Sequence, residues 1–251
     1  MNLKVGLFYT CLVNIFDPHL IDKSKNILEF FGFNVVIPKS QTCCAQPNFN
    51  SGDFNNSQEL SKLFINNFYG LDYIVVPSGS CTGMILKNYP ELITNSPDEI
   101  KEKYKSLKKK IFEFSDFLHK KIGVEKFSQF SLERELTYHD SCSGLRQLKI
   151  KDQPREILKE IKGIKITEMN EPEECCGFGG SFSIKYGGIS SEIAEKKCRD
   201  IMSTDTKNVC LGDLGCALNI KGKLDWMNKD IEVSHFIDVI HDSMFKKDNV
   251  I

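Results

Sequence analysis

Cysteine is the residue type in this sequence that could do chemistry, and its spacing is regular. A single cysteine, an adjacent pair and another single one (Cys11, Cys43-Cys44 and Cys81) recur as Cys142, Cys175-Cys176 and Cys216, displaced by 131, 132 and 135 residues. A fixed displacement of about half the chain marks an internal duplication. Cys198 and Cys210 fall outside the pattern and read as packing residues, one in a helical stretch and one in an apolar strand. Four gathered thiolates bind zinc or an iron–sulfur cluster, because soft sulfur ligands suit both. The chain contains no C-x-x-C, the usual zinc knuckle. Adjacent cysteines suit a cluster better, since its several metal atoms offer separate corners to neighbouring thiolates. Zinc remains the alternative. Vicinal disulfides at Cys43-Cys44 or Cys175-Cys176 would be strained and are expected only in oxidised material.

The elements that must position these cysteines can be read from apolar runs. Lys4–Thr10, Asn34–Pro38 and Tyr73–Ser78 are short apolar runs ended by turn residues, the pattern of buried strands. Helical patterns lie between them at Pro18–Phe31 and Ser57–Phe68. In the second half the expected strands are Glu135–His139, Lys165–Met169, Asn208–Leu211 and Glu232–Ser234, with helices near Pro154–Ile161, Ser191–Met202 and Phe236–Phe245. Strands alternating with helices imply parallel βαβ units. The expected fold is therefore α/β, with two similar, pseudo-symmetric βαβ domains and the patterned cysteines at the carboxyl edges of the strands, where ligand sites are normally built. Three strand-to-helix turns per half then gather four sulfurs, giving two four-thiolate sites.

The halves are expected to be joined by one helix over residues 97–122. Ser96 is its N-cap, Pro97 its first position and Gly123 its stop, and Ile100, Tyr104, Leu107, Ile111, Phe114 and Leu118 form one apolar face. The lysines on its other face read as a solvated surface. The domain division is placed near residues 124–132, giving residues 1–128, including the linking helix, and 129–251.

Other chemistry is sparse. The run Gly177-Phe178-Gly179-Gly180 lacks the G-x-G-x-x-G spacing and reads as glycine that lets backbone N–H groups approach a cluster. His139 and Asp140 precede Cys142 and are expected as a satisfied turn pair, with a place beside the metal or in proton transfer as the alternative. His235 reads the same way. No P-loop, H-E-x-x-H or G-x-S-x-G occurs.

With 33 basic and 34 acidic side chains the net charge is −1, which excludes a strong overall positive field as the source of nucleic-acid affinity. At 41% hydrophobic and 27% charged residues the composition is that of an ordinary soluble globular protein. The opening MNLKVGLFYT has no basic n-region followed by a cleavage site, so secretion is not expected. No 18-residue apolar stretch is present; Val5 to Phe16 comes nearest and Asn14 interrupts it. A cytoplasmic chain is expected to use its thiols for metal or redox work.

Five segments, in order, carry a resemblance. They are QTCCAQPNFNSG at 41–52, VPSGSCTG at 76–83, YHDSCSGLRQL at 138–148, ECCGFGGSFSIKY at 174–186 and GDLGCALNIKG at 212–222. Together they resemble the CCG-domain iron–sulfur proteins, within them the lactate-utilization group. The iron–sulfur subunit of glycolate oxidase and the CCG-domain subunit of heterodisulfide reductase are more distant relatives. The resemblance implies an electron-transfer subunit of an L-lactate dehydrogenase complex oxidising L-lactate to pyruvate in the cytoplasm. Two other subunits are implied, one a larger ferredoxin-like iron–sulfur protein. It implies Cys11, Cys43, Cys44 and Cys81 as ligands of one [4Fe–4S] cluster and Cys142, Cys175, Cys176 and Cys216 as ligands of another, one or both being filled. Three departures stand out. Ala45 replaces the glycine after the first pair and is expected to alter the backbone there; Ser143 stands where relatives often have histidine. Ser78 and Asp213 occupy positions that are cysteine in the heterodisulfide reductase relative, which leaves four ligands per site and favours ordinary four-iron clusters. No acid–base pair for lactate is recognisable. A zinc-bearing or metal-free scaffold and a thiol–disulfide oxidoreductase are the alternative functions.

Overall fold

A computed structural model describes residues 3–246. It has two sheets of four strands, every pairing parallel. The first half supplies β1 (Lys4–Leu7), β2 (Asn34–Val36), β3 (Tyr73–Val76) and β4 (Ile111–Glu113) in the order β2-β1-β3-β4. The second supplies β5 (Ser131–His139), β6 (Lys162–Ile166), β7 (Asn208–Leu211) and β8 (Glu232–His235) in the order β6-β5-β7-β8. The two orders are the same, as the duplicated cysteine pattern requires. Each sheet reverses direction beside its first strand, so crevices open at the carboxyl ends between β1 and β3 and between β5 and β7.

The central strands are covered on both faces. Val5, Leu7, Ile74, Val75 and Val76 are fully buried, as are Leu136, Val209 and Leu211, which is why these strands read as continuous apolar runs and not as alternating ones. One apolar core runs through both halves. Val5, Val13 and Leu28 from the first share it with Leu136, Leu158, Ile220 and Ile240 from the second. Lys23 and Asp238 bridge the halves at 2.6 Å.

The helix expected over residues 97–122 is not one helix. It runs only from Asp98 to Lys108, is followed by β4, and resumes as a short turn at Phe114–Phe117 and a π-helical turn at Leu118–Ile122. Ile111 and Phe114 continue the three-and-four spacing of the helix before them, so periodicity alone could not separate them. The decisive term is the open edge of β3, whose N–H and C=O groups are satisfied by pairing Ile74–Val76 with Ile111–Glu113. Gly123 does end the stretch, at a φ of 96° that favours glycine. Two smaller differences fall in the second half. β6 begins three residues earlier than the expected Lys165, and a helix at Leu214–Trp226, unanticipated in the sequence, carries Cys216.

Candidate metal centres

Each patterned cysteine sits at the carboxyl edge of a sheet, and local caps fix it there. Thr10 caps the helix Cys11–Phe16, its hydroxyl accepting from the Val13 N–H at 3.4 Å, so Cys11 opens that helix. Ser78 caps the helix Gly79–Gly83 by accepting from the Cys81 N–H at 3.2 Å. The loop after β2 that carries Cys43 and Cys44 is tied to β1 through Gln41, which accepts from the Tyr9 N–H at 2.6 Å and donates to the Leu7 carbonyl at 3.1 Å. The Tyr89 hydroxyl holds the Cys44 carbonyl at 3.2 Å. In the second half the Asn219 amide does the same for Cys176, at 2.7 Å.

These turns bring four sulfurs together in each half. Cys11 Sγ lies 3.6 Å from Cys43 Sγ. Cys43 accepts from the Cys11 and Cys44 thiols and is pulled down to about 3. Cys11 is driven well above the ordinary thiol range by donating to Cys43 and by burial. Cys44, donating to Cys43 and Cys81 and fully enclosed, is driven up as well. The second quartet repeats this. Cys175 accepts from Cys142 and Cys176 and falls to about 2, with the Gly177 N–H also on its sulfur at 3.3 Å. Cys142 rises because it donates to Cys175, and Cys176 because it donates to Cys175 and Cys216. For Cys216 the bond from Cys176 favours the thiolate, but burial and the charges of Asp213 and Cys175 raise it on balance.

The physical meaning is the same in both halves. In each half one thiolate is favoured by its neighbouring thiols, while burial and those neighbours hold protons on Cys11 and Cys44 in the first quartet and on Cys142, Cys176 and Cys216 in the second. Releasing them requires a positive centre among the sulfurs, which a metal ion or cluster supplies. The donor set therefore fits such a group. Among the described residues the ligand atoms of His139, Cys176 and Cys216 also lie within 4.8 Å of one another, all three buried. All ten cysteines are free thiols. Cys198 and Cys210 belong to the core: Cys198 is fully buried with its thiol toward the Ile220 carbonyl at 3.7 Å, and Cys210 is buried in β7.

The positions Ser78 and Asp213 have a definite use. Asp213 caps the helix that carries Cys216, its carboxylate accepting from the Gly215 N–H at 3.1 Å. It also reaches across to the first half, accepting from the Ser78 hydroxyl at 3.0 Å and the Ser80 N–H at 2.9 Å. The residues that could have been fifth ligands thus cap the helices that carry Cys81 and Cys216 and clamp the halves together. Nearby, Gly79 passes so close to Gly144 that a Cβ would meet its backbone nitrogen at 3.0 Å.

Ala45 does not alter the backbone as its replacement of glycine suggested. It adopts φ 73°, the left-handed conformation, and Gly177 after the second pair adopts φ 85°. The turn is preserved and the alanine bears the strain. At Gly177 alanine would not fit, because a Cβ there would lie 2.6 Å from the Ser190 carbonyl oxygen.

His139 and Asp140 do not form a satisfied pair. Asp140 is matched by Arg155, whose two terminal nitrogens donate to it at 2.7 and 3.0 Å while Nε binds Glu168 at 2.7 Å. His139 is fully buried and neither ring nitrogen has a partner. Burial, and then the charge of Lys197, push it down to about 3, so the ring is neutral. His235 is a cap: its Nδ1 accepts from the Ile237 N–H at 3.2 Å, and burial lowers its pKa. Sequence reasoning missed Lys197, a fully buried ammonium that donates to the Glu171 carbonyl and lies 3.5 Å from Asp200. Its helical position is ordinary, and only the fold shows that its charge acts on His139 and Cys216.

The family model for the cysteine-rich (CCG) domain matches this chain twice, over residues 5–86 and 136–221. Lactate utilization protein A of Geobacillus kaustophilus is 37% identical over 95% of this chain and 99% of its own length. The protein of that name from Bacillus subtilis is 36% identical with the same coverage. Among solved structures, a hypothetical protein from Helicobacter pylori shares the fold, with a TM-score of 0.65 at 12% identity, over 98% of this chain and 49% of that one.

Proposed function

The chain belongs to the cysteine-rich CCG domain family, in the group of lactate utilization protein A, and from that premise we propose that it is an iron–sulfur electron-transfer subunit of a lactate-oxidising complex. Its two CCG-type units span 1–128 and 129–251. Cys11, Cys43, Cys44 and Cys81 would hold one [4Fe–4S] cluster and Cys142, Cys175, Cys176 and Cys216 the other, with one or both sites filled. The observation that carries this is the repeated convergence of four sulfurs at the carboxyl edge, each set held by its own caps.

When bound, such a cluster exchanges single electrons at a potential set by its charge and its hydrogen bonds. This chain's cysteines would ligate it, and the Gly177 N–H, which donates to Cys175 Sγ at 3.3 Å, would stabilise that ligand as a thiolate. The substrate is L-lactate, oxidised to pyruvate by the complex in the cytoplasm. The partners are its other subunits, including a larger ferredoxin-like iron–sulfur protein. No helix among the described residues is long and apolar enough to cross a membrane. The near-zero net charge suits protein docking and not nucleic-acid binding.

Anaerobic purification followed by iron, sulfide and zinc analysis with EPR tests the reading. Iron with matching sulfide and a reducible cluster signal is expected. Stoichiometric zinc alone would make the chain a scaffold, and metal-free titratable thiols would point to thiol–disulfide chemistry.

A further inference from the structure

The two sites differ at one position where the duplication predicts equivalence. His139 lies 131 residues after Phe8, the same displacement that relates Cys142 to Cys11. Phe8 is a packing residue, its ring edge-on to Phe64 and Phe68 at 5.2 and 5.9 Å. His139 replaces that ring with an imidazole that is fully buried, has no partner on either nitrogen, and places one nitrogen within 4.8 Å of the Cys176 and Cys216 sulfurs.

An unpartnered buried imidazole destabilises the fold, because its polar nitrogens lose water and gain no partner. A group bound among the second quartet would remove that cost. Four thiolates already match four irons, so the nitrogen is not needed as a ligand. An imidazole carries at least one N–H donor in either protonation state. We infer that His139 donates its ring N–H to a sulfur of the iron–sulfur group in the second site, a hydrogen bond the first site cannot make. The inference rests on the function proposed above and sharpens it. A donated N–H stabilises the more negative, reduced form. The second site is therefore the one reduced first, and the Lys197 ammonium acts in the same direction. His139 is a positioning residue that ranks the two sites.

The test is an EPR-monitored redox titration of the anaerobically purified full chain with dithionite, alongside ¹⁴N hyperfine spectroscopy. Cys176→Ser identifies the second-site signal by its disappearance. The wild type should show a weak ¹⁴N coupling on that signal, and His139→Phe, which copies the first site, should abolish it. The same change should disfavour reduction of that site about tenfold, or about 59 mV for one electron, leaving the other signal in place. His139→Gln keeps an N–H donor and should recover most of the shift. An unmoved second-site potential in His139→Phe, with both signals present, would overturn the inference alone. Loss of the second signal in both variants, with a strong ¹⁴N coupling in the wild type, would make His139 a ligand and overturn the donor role. Wild-type protein without iron or sulfide would overturn the functional proposal, and this inference with it.

Discussion

The turn after each cysteine pair can be perturbed in opposite directions. Residue 45 is alanine at φ 73° and residue 177 is glycine at φ 85°. In Gly177→Ala, the left-handed conformation costs about 1–2 kcal/mol for a residue with a Cβ. The new Cβ would also lie 2.6 Å from the Ser190 carbonyl and 3.2 Å from Ile193 Cβ. Backbone must move, and overpacking of this kind costs roughly 1–3 kcal/mol. Reduced freedom in the unfolded chain returns only about 0.4–1 kcal/mol. The net expectation is destabilisation by about 1–4.6 kcal/mol, centred near 3. Ala45→Gly relieves the same strain but loses a fully buried methyl, worth about 0.8 kcal/mol, and adds unfolded-state freedom. Its net effect should stay within about 1 kcal/mol of zero. Equilibrium urea unfolding of the metal-free proteins separates the two: with a slope near 2–3 kcal/mol/M, Gly177→Ala should lower the midpoint by about 1 M and Ala45→Gly should barely move it. Equal midpoints for Gly177→Ala and wild type would refute the reasoning from φ and the Ser190 contact.

Further outcomes follow from named contacts. Arg155→Met leaves Asp140 buried without its bidentate partner, and urea unfolding should show a loss of about 3–5 kcal/mol. Asp213→Ala removes the hydrogen bonds that clamp Ser78 and Ser80; about 1.5–3 kcal/mol should be lost per charge-assisted bond not replaced by water. Burial raises Glu113 from 4.5 to about 7. Its carboxyl stays protonated in the fold where the unfolded chain would ionise it. Its contribution is complete below pH 4.5 and is lost as pH rises to about 7, a change on the order of 3 kcal/mol. In Glu113→Gln the stability difference from wild type should therefore vary with pH across that window, and a constant difference would contradict it. Cys198→Ala should leave iron content unchanged, measured beside Cys81→Ser, which should lower it.

The duplication of the cysteines was the most legible feature, because spacing survives in the sequence where geometry does not. It points to two similar domains and sets Cys198 and Cys210 apart from the rest, while the parallel strands follow from the alternation of apolar runs with helical patterns. The linking stretch reads as one helix in sequence because Ile111 and Phe114 continue a helical period; only the open edge of β3 decides between helix and strand. The glycine run after the second pair is legible as a close backbone approach, but that Ala45 holds the same left-handed φ as Gly177 is a property of the folded turn. The solitary state of His139 and the buried charge of Lys197 depend on what the fold leaves unpaired, which no local pattern records. Ser78 and Asp213 could be compared with cysteines in sequence, yet their meeting across the two halves is a property of three dimensions.

The central claim is that the two quartets of cysteines are iron–sulfur sites, one or both of them filled. Metal and sulfide analysis of anaerobically purified wild type, Cys44→Ser and Cys176→Ser tests it most directly. About four irons and four sulfides are expected for each filled site, with a variant in a filled half losing only that half's cluster. Stoichiometric zinc without sulfide, or iron unchanged in both variants, would contradict it.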